Sequence, residues 1–254
     1  MSIRRSETLL LVDIGNSRIK WGLGRNGRLD AGTPFSSDVE ALTDEMGRLW
    51  GDLSAPTAVV VSNVAGPSRG GRMRDWVWRH WGLQVHFVQP EARGYGVVNA
   101  YENPAKLGVD RWICLVALRE LHPLPACIAD FGTAITVDVM DAAGRHLGGL
   151  IAPGLTLMRQ ALTQRTAGLQ EAGGIYQGLL ARNTAAALLS GVRQASVGLL
   201  ERVVREASRQ LGCELRVVLT GGDAETVAAE LAMPHVLAPN LVLQGLLIMA
   251  ENIR

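Results

Sequence analysis

TLLLVDIGNS (8–17) and ACIADFGTA (126–134) decide the fold. Each is an apolar run closing on Asp-x-Gly with a hydroxyl residue just beyond, and the second lies about half the chain after the first. Apolar runs bounded by turn residues read as buried strands. After the first, Ile19, Trp21 and Leu23 alternate as far as Asn26-Gly27, a two-residue hairpin signal whose central residues both need positive φ. Three antiparallel strands are therefore expected near 7–13, 17–24 and 28–33. A helix should follow, with Ser36 or Ser37 as N-cap and Val39, Leu42, Met46 and Leu49 at helical spacing. Then come a buried strand at Ala58–Ser62, a helix through Met73, Trp76, Val77 and Trp81, and a strand near 84–88.

The second half runs in the same order. Ala126–Asp130 and Ile135–Val139 read as strands, Asp141–Gly144 as a turn, and 145–152 as a third strand. A helix after Pro153, a long helical region near 179–211, a strand at Glu214–Thr220, a helix near 224–231 and a closing helix from about 240 complete the chain. Between the halves Pro104 opens a helix carrying Leu107, Arg111, Cys114, Leu115 and Leu118, with Asp110 and Arg111 inside it. A repeat at half the chain length implies a duplicated α/β unit, residues 1–120 and 121–254. Asp-x-Gly alone is common in turns, so two unrelated hairpins are the plain alternative.

Composition narrows the classes. The chain has 254 residues, 48% hydrophobic and 19% charged, which is enough apolar surface to offset the entropy of ordering. A formal net charge of +1 gives no electrostatic footprint for non-specific nucleic-acid binding. Cys114, Cys127 and Cys213 are odd in number and show no CxxC spacing, which fits a reducing cytoplasm. Asp13 cuts the first apolar run short of a signal peptide, and Gln244 and Gly245 break the last one, so no membrane span is expected.

The two turns carry the chemistry. Gly15, Asn16 and Ser17 in one, and Gly132 and Thr133 in the other, can offer backbone N–H groups and hydroxyls to a phosphate. Asp13 and Asp130 leave carboxylates at strand ends, suited to hydrated Mg²⁺ or a monovalent cation. Lys20 is either a counter-charge to phosphate or a solvated edge lysine. No GxxxxGK[ST] occurs, and the glycine turn joins two strands rather than a strand and a helix. Gly221-Gly222 is either a platform under an adenosine or a tight strand-to-helix turn. Asp110 and Arg111 are either a buried pair bracing the domains, or a proton acceptor beside a fork for carboxylate or phosphate. The five histidines make no ligand pair, and Trp76, Trp78 and Trp81 read as core or dimer contacts.

DIGNSRIKWG (13–22), YENPAKLGVDRW (101–112), DFGTAITVD (130–138), GGLIAPG (148–154), NTAAALLSG (183–191) and LTGGDA (219–224) together resemble the type III pantothenate kinases. That resemblance implies the duplicated RNase H-like fold of the acetate/sugar kinase–Hsc70–actin superfamily, with mixed sheets flanked by helices and ATP in a cleft between the halves. It implies ATP-dependent phosphorylation of pantothenate to 4′-phosphopantothenate, the first step of coenzyme A synthesis, by a homodimer. Carried over by residue, Asp13, Ile14, Gly15, Asn16, Ser17, Arg18, Ile19 and Lys20 form the first phosphate loop, with Asp13 near Mg²⁺, and Thr133 touches ATP. Asp110 is the proton acceptor, and Tyr101, Gly108, Val109, Asp110, Arg111 and Thr184 line the pantothenate site. Asp130 binds a monovalent cation, K⁺ or NH₄⁺. Val109 where Ala is usual, Phe131 for a smaller residue, and Asn63 and Ala65 are departures. None removes a catalytic group. An accessory or regulatory protein of the same fold, or another small-molecule kinase of the superfamily, are the rival functions.

Overall fold

The computed structural model describes residues 8–165 and 174–251. The chain divides into two compact units, one running to Leu121 and resuming at Asn240, the other His122–Pro239. In the first, β1 (Thr8–Ile14), β2 (Arg18–Arg25) and β3 (Arg28–Ala31) form an antiparallel meander, and β4 (Phe35–Ser36) pairs with the start of β2. Asn26 and Gly27 at φ 51° and 72° make the expected two-residue turn. Helix α1 (Leu42–Trp50) leads to β5 (Ala58–Asn63), parallel to β1, and α2 (Pro67–Trp81) leads to β6 (Val85–Phe87), parallel to β5. A hairpin of β7 (Arg93–Gly94) and β8 (Val97–Val98), a 3₁₀ turn at Pro104–Lys106 and α3 (Val109–Leu121) follow.

The second unit contains β9 (Ala126–Phe131), β10 (Ala134–Met140), β11 (His146–Pro153), α4 (Leu155–Arg165), α5 (Thr184–Leu211), β12 (Arg216–Thr220), α6 (Ala224–Ala228) and β13 (Val236–Leu237). Its sheet order, β11-β10-β9-β12-β13, repeats the β3-β2-β1-β5-β6 of the first, with the same two antiparallel and two parallel pairings. The internal repeat is real at the level of topology. Phe131, Ile135, Val137, Leu200, Val204, Val217, Leu219 and Val227 form one core there.

Strand alternation sets which residues are core and which are not. Leu10, Val12, Ile14, Ile19, Trp21, Val59 and Val61 pack with Leu42, Met46 and Trp50 of α1 and Met73 and Val77 of α2. With a side-chain period of two, their neighbours Asp13, Lys20 and Ser62 share the opposite face.

Four expectations need correction. The closing helix α7 (Leu241–Glu251), counted by sequence order with residues 121–254, belongs to the first unit. It is apolar almost all round, and two glycines let it in close. A Cβ on Gly24 would meet Leu247 at 2.7 Å, and one on Gly245 would meet Ile113 at 2.5 Å. Neither Ser36 nor Ser37 caps α1: Ser36 is extended in β4, and α1 starts only at Leu42, after Ala41. The helix expected from Pro104 is broken by Leu107 at ψ 137°, so Asp110 lies in the first turn of α3 rather than inside a longer helix. Residues 179–183 are not helical; α5 begins after Asn183, whose side chain accepts the N–H of Ala186 at 2.9 Å. No helix among the described residues is long and apolar enough to cross a membrane.

Candidate active site

The first hairpin turns over Gly15, Asn16 and Ser17, with the Gly15 N–H donating to Arg18 O at 3.1 Å. Asn16, Ser17 and Arg18 are exposed, whereas the side chains of Ile14 and Ile19 are fully buried in the core and leave only backbone to a ligand. Asp13, one residue before the end of β1, is 8% exposed with Oδ1 sealed from solvent. It lies opposite Lys20 across the antiparallel pair and opposite Ser62 across the parallel one. Directly paired residues sit roughly 5 Å apart at Cβ, so Lys20 and Ser62 are the register neighbours of this carboxylate. The sequence reading has Ser62 as the end of a strand and not as a site residue. Its fully buried hydroxyl has no hydrogen-bond partner among the described residues, and only the register of β1 against β5 places it here.

The start of α3 carries the second group. Asp110 Oδ1 accepts the N–H of Arg111 at 2.8 Å. A Cβ on Gly108 would lie 2.7 Å from that same oxygen, so glycine is what leaves room for the carboxylate. The positive end of the helix favours an anion at this position. Arg111, 4% exposed, donates through Nη1 to the Tyr101 hydroxyl at 2.7 Å, and its guanidinium carbon lies 5.6 Å from the Tyr101 ring centroid. Tyr101 is fixed in turn by its own N–H donating to Asn99 Oδ1 at 3.0 Å. Val109, buried at the first position of α3, leaves the neighbouring carboxylate in place.

In the second unit the turn is Gly132-Thr133, with Thr133 exposed and Asp130 half-buried, one residue before the end of β9. Asp130 lies opposite Thr136 on β10 and Thr220 on β12, with a hydroxyl residue at each register position. Gly221, at φ 100°, crosses so closely that a Cβ there would meet Asp130 Oδ1 and the Phe131 backbone at 2.5 Å. This favours the tight-turn reading of Gly221; Gly222 beside it borders open space. Phe131 is buried in the core, and its carbonyl accepts the Asp223 N–H at 3.0 Å. Thr184 is exposed at the first position of α5. The structure therefore groups Asp13 with Lys20 and Ser62, Asp110 with Gly108, Arg111 and Tyr101, and Asp130 with Thr136 and Thr220.

Both hairpin sites offer hard oxygen donors, which suit Mg²⁺ or an alkali cation rather than a soft metal. Among the described residues no group of three or more His, Cys, Asp or Glu could hold a metal, so a divalent ion here would take ligands from phosphate and water as well as from Asp13.

Comparison with known proteins bears on the fold and the family. A solved structure described as a Baf family transcriptional activator from Campylobacter jejuni is 18% identical, covers 96% of this chain and all of its own, and superposes with a TM-score of 0.62. MreB 5 of Spiroplasma citri, solved with AMPPNP, is 10% identical, covers 97% of each chain and gives 0.52. At such identities the likeness is one of fold, an actin-like α/β architecture. A type III pantothenate kinase from Nitrosococcus oceani is 39% identical over 257 residues, covering 96% of this chain and 94% of its own. One from Aromatoleum aromaticum is 40% identical over 245 residues, covering 96% and 98%. The family model of the type III pantothenate kinases matches residues 9–206, and the chain belongs to that family.

Proposed function

We propose that the chain transfers the γ-phosphoryl group of ATP to the primary hydroxyl of pantothenate, giving 4′-phosphopantothenate, with Asp110 as the proton acceptor. The observation that carries this reading is the start of α3. There Gly108 clears space for the Asp110 carboxylate, while Tyr101 holds the Arg111 guanidinium. Asp110 takes the hydroxyl proton, the alcohol oxygen bonds to the γ-phosphorus, and the bond to the β–γ bridging oxygen breaks to release ADP. Arg111 and Tyr101, with Gly108 and Val109, orient pantothenate, and the guanidinium suits its carboxylate. The backbone of Asp13–Lys20 holds the nucleotide phosphates, with Lys20 balancing their charge. In a loose phosphoryl-transfer transition state such positioning and charge neutralisation do most of the work.

A kinase of this kind uses ATP with a divalent cation. We assign that ion as Mg²⁺ beside Asp13, where its chemistry is neutralisation of phosphate charge, and a monovalent K⁺ or NH₄⁺ to Asp130 between Thr136 and Thr220. Homodimerisation is supported by apolar side chains exposed in the second unit, among them Ile151 at 65% and Leu180 at 85%. Three free cysteines suit a reducing cytoplasm.

The test is ADP release measured with pantothenate, simple sugars and acetate in turn, for wild type and Asp110→Asn. Release with pantothenate alone, cut about 10²–10⁴-fold in the variant, supports the assignment. Release with a sugar or acetate instead points to another kinase of the fold, and none with any acceptor points to an accessory protein. Near-normal turnover by Asp110→Asn removes Asp110 from its role.

A further inference from the structure

We propose that Ser37 and Arg69, both outside the motifs that carry the family resemblance, are positioning residues that set the first hairpin turn for nucleotide phosphate. The proposal rests on the reading of Asp13–Lys20 as the phosphate loop. Ser37 touches that loop twice: its Oγ donates to Asn16 O at 2.7 Å, and its N–H donates to Ser17 O at 3.4 Å. Arg69, on α2, holds Ser37 in place. Its Nε donates to Ser37 O at 2.6 Å, and its Nη1 donates to Ala65 O at 2.9 Å.

The consequence follows from peptide geometry. In a trans peptide a carbonyl and the following N–H point in opposite directions, and both peptides here are trans. Fixing the carbonyls of Asn16 and Ser17 on Ser37 therefore directs the N–H groups of Ser17 and Arg18 away from it, to the same side. Two successive amides aimed one way are the arrangement that takes an anion. Ser37 is 2% exposed, so water is poorly placed to replace its hydroxyl. A flexible turn would leave those amides to be ordered at the moment of binding; Ser37 orders them beforehand. The bond pattern also explains why a serine ahead of α1 is not a helix cap: its hydroxyl is committed to the loop.

The experiment compares Ser37→Ala, Ser37→Thr and Arg69→Met with wild type. ADP affinity is measured by calorimetry without pantothenate, alongside the KM for each substrate, kcat and the thermal midpoint. Ser37→Ala should raise the ADP Kd and the ATP KM about 3–10-fold, the scale of one lost hydrogen bond, with the pantothenate KM within about twofold. Ser37→Thr, which keeps the hydroxyl, should restore most of the affinity. Arg69→Met keeps an apolar stem, decides the matter if Ser37→Ala does not fold, and should show the same pattern at about 2–5-fold. Unchanged ADP affinity in folded variants, or equal losses for both substrates that track the thermal midpoint, overturns the proposal while leaving the phosphate loop standing. A wild-type chain that phosphorylates pantothenate with an ATP KM insensitive to Gly15→Ala and Lys20→Met overturns the loop reading, and the proposal with it.

Discussion

In the first hairpin Asp13 faces Lys20 on one side and Ser62 on the other; in the second, Asp130 faces Thr136 and Thr220 at the corresponding positions. The bracing differs as well. Ser37 ties down the carbonyls of Asn16 and Ser17 from outside the first turn, whereas the second is held by backbone: Gly154 N–H donates to Thr133 O at 3.0 Å, and Gly221 lies against Asp130 and Phe131. One topology thus carries two different sets of neighbours around its carboxylate. A lysine beside the carboxylate leaves the first suited to a polyanion that brings its own metal. Threonines stand at both register positions beside the second carboxylate, where the first has a lysine and a serine.

The largest effect should come from adding a methyl group to each turn. Gly221→Ala places Cβ 2.5 Å from Asp130 Oδ1 and the Phe131 backbone at a φ of 100°, and is expected to cost about 3 kcal/mol or more in a denaturant titration. Gly15→Ala meets one carbonyl at 2.9 Å and should cost about 1 kcal/mol. Equal costs would mean that the second turn is no more tightly built than the first.

Removing the charge difference comes next. Lys20→Met should raise the ATP KM about tenfold, the effect of losing about 1.5 kcal/mol of charge-assisted bonding, while Thr136→Val leaves it within about twofold. A large rise for Thr136→Val would place nucleotide phosphate at the second hairpin instead.

The far ends of the sheets offer the smallest contrast. The β2–β3 turn is backbone-made, by Asn26-Gly27, whereas Asp141 holds the β10–β11 turn with Oδ1 on the Ala143 and Arg145 N–H groups and Oδ2 on Arg145 Nε at 2.6 Å. Burial pushes the Asp141 carboxyl up, but the Arg145 N–H and guanidinium and the Ala143 N–H together hold it below the usual carboxylate value. A depressed folded value means that the unfolded chain binds the proton first, so this stabilisation is complete above about pH 4 and fades as pH falls through the lowered value. The stability gap between wild type and Asp141→Asn should therefore shrink on acidification. The gap for Asn26→Ala should not vary with pH.

What the sequence made legible was what lies close along the chain. Apolar runs ending in Asp13 and Asp130, the Asn26-Gly27 turn and the repeat itself are local signals, and they located both hairpins. Ser62 and Thr220 were invisible, because their place beside the two carboxylates depends on register between strands that are not consecutive. Ser37 differs from its reading for a related reason: a serine before an apolar-periodic segment is a capping signal, but its hydroxyl donates to Asn16 O, a residue far back along the chain. Asp110 was named through the family motif, but the break at Leu107 that puts it in the first turn of α3 was not. The apolar run of α7 announced burial without saying against which sheet. Likewise nothing in the spacing of Asp138 and His146 foretold their buried contact at 2.8 Å.

The division of labour between the hairpins is tested most directly by one pair of titrations: the rate of pantothenate-dependent ADP release against Mg²⁺ and against K⁺, for wild type, Asp13→Asn and Asp130→Asn. The account predicts that Asp13→Asn needs more Mg²⁺ for its half-maximal rate while its K⁺ response is kept, and that Asp130→Asn loses the K⁺ response while its Mg²⁺ midpoint is kept. An Asp130→Asn enzyme with an intact K⁺ response, or the same shift in both titrations for both variants, would contradict it.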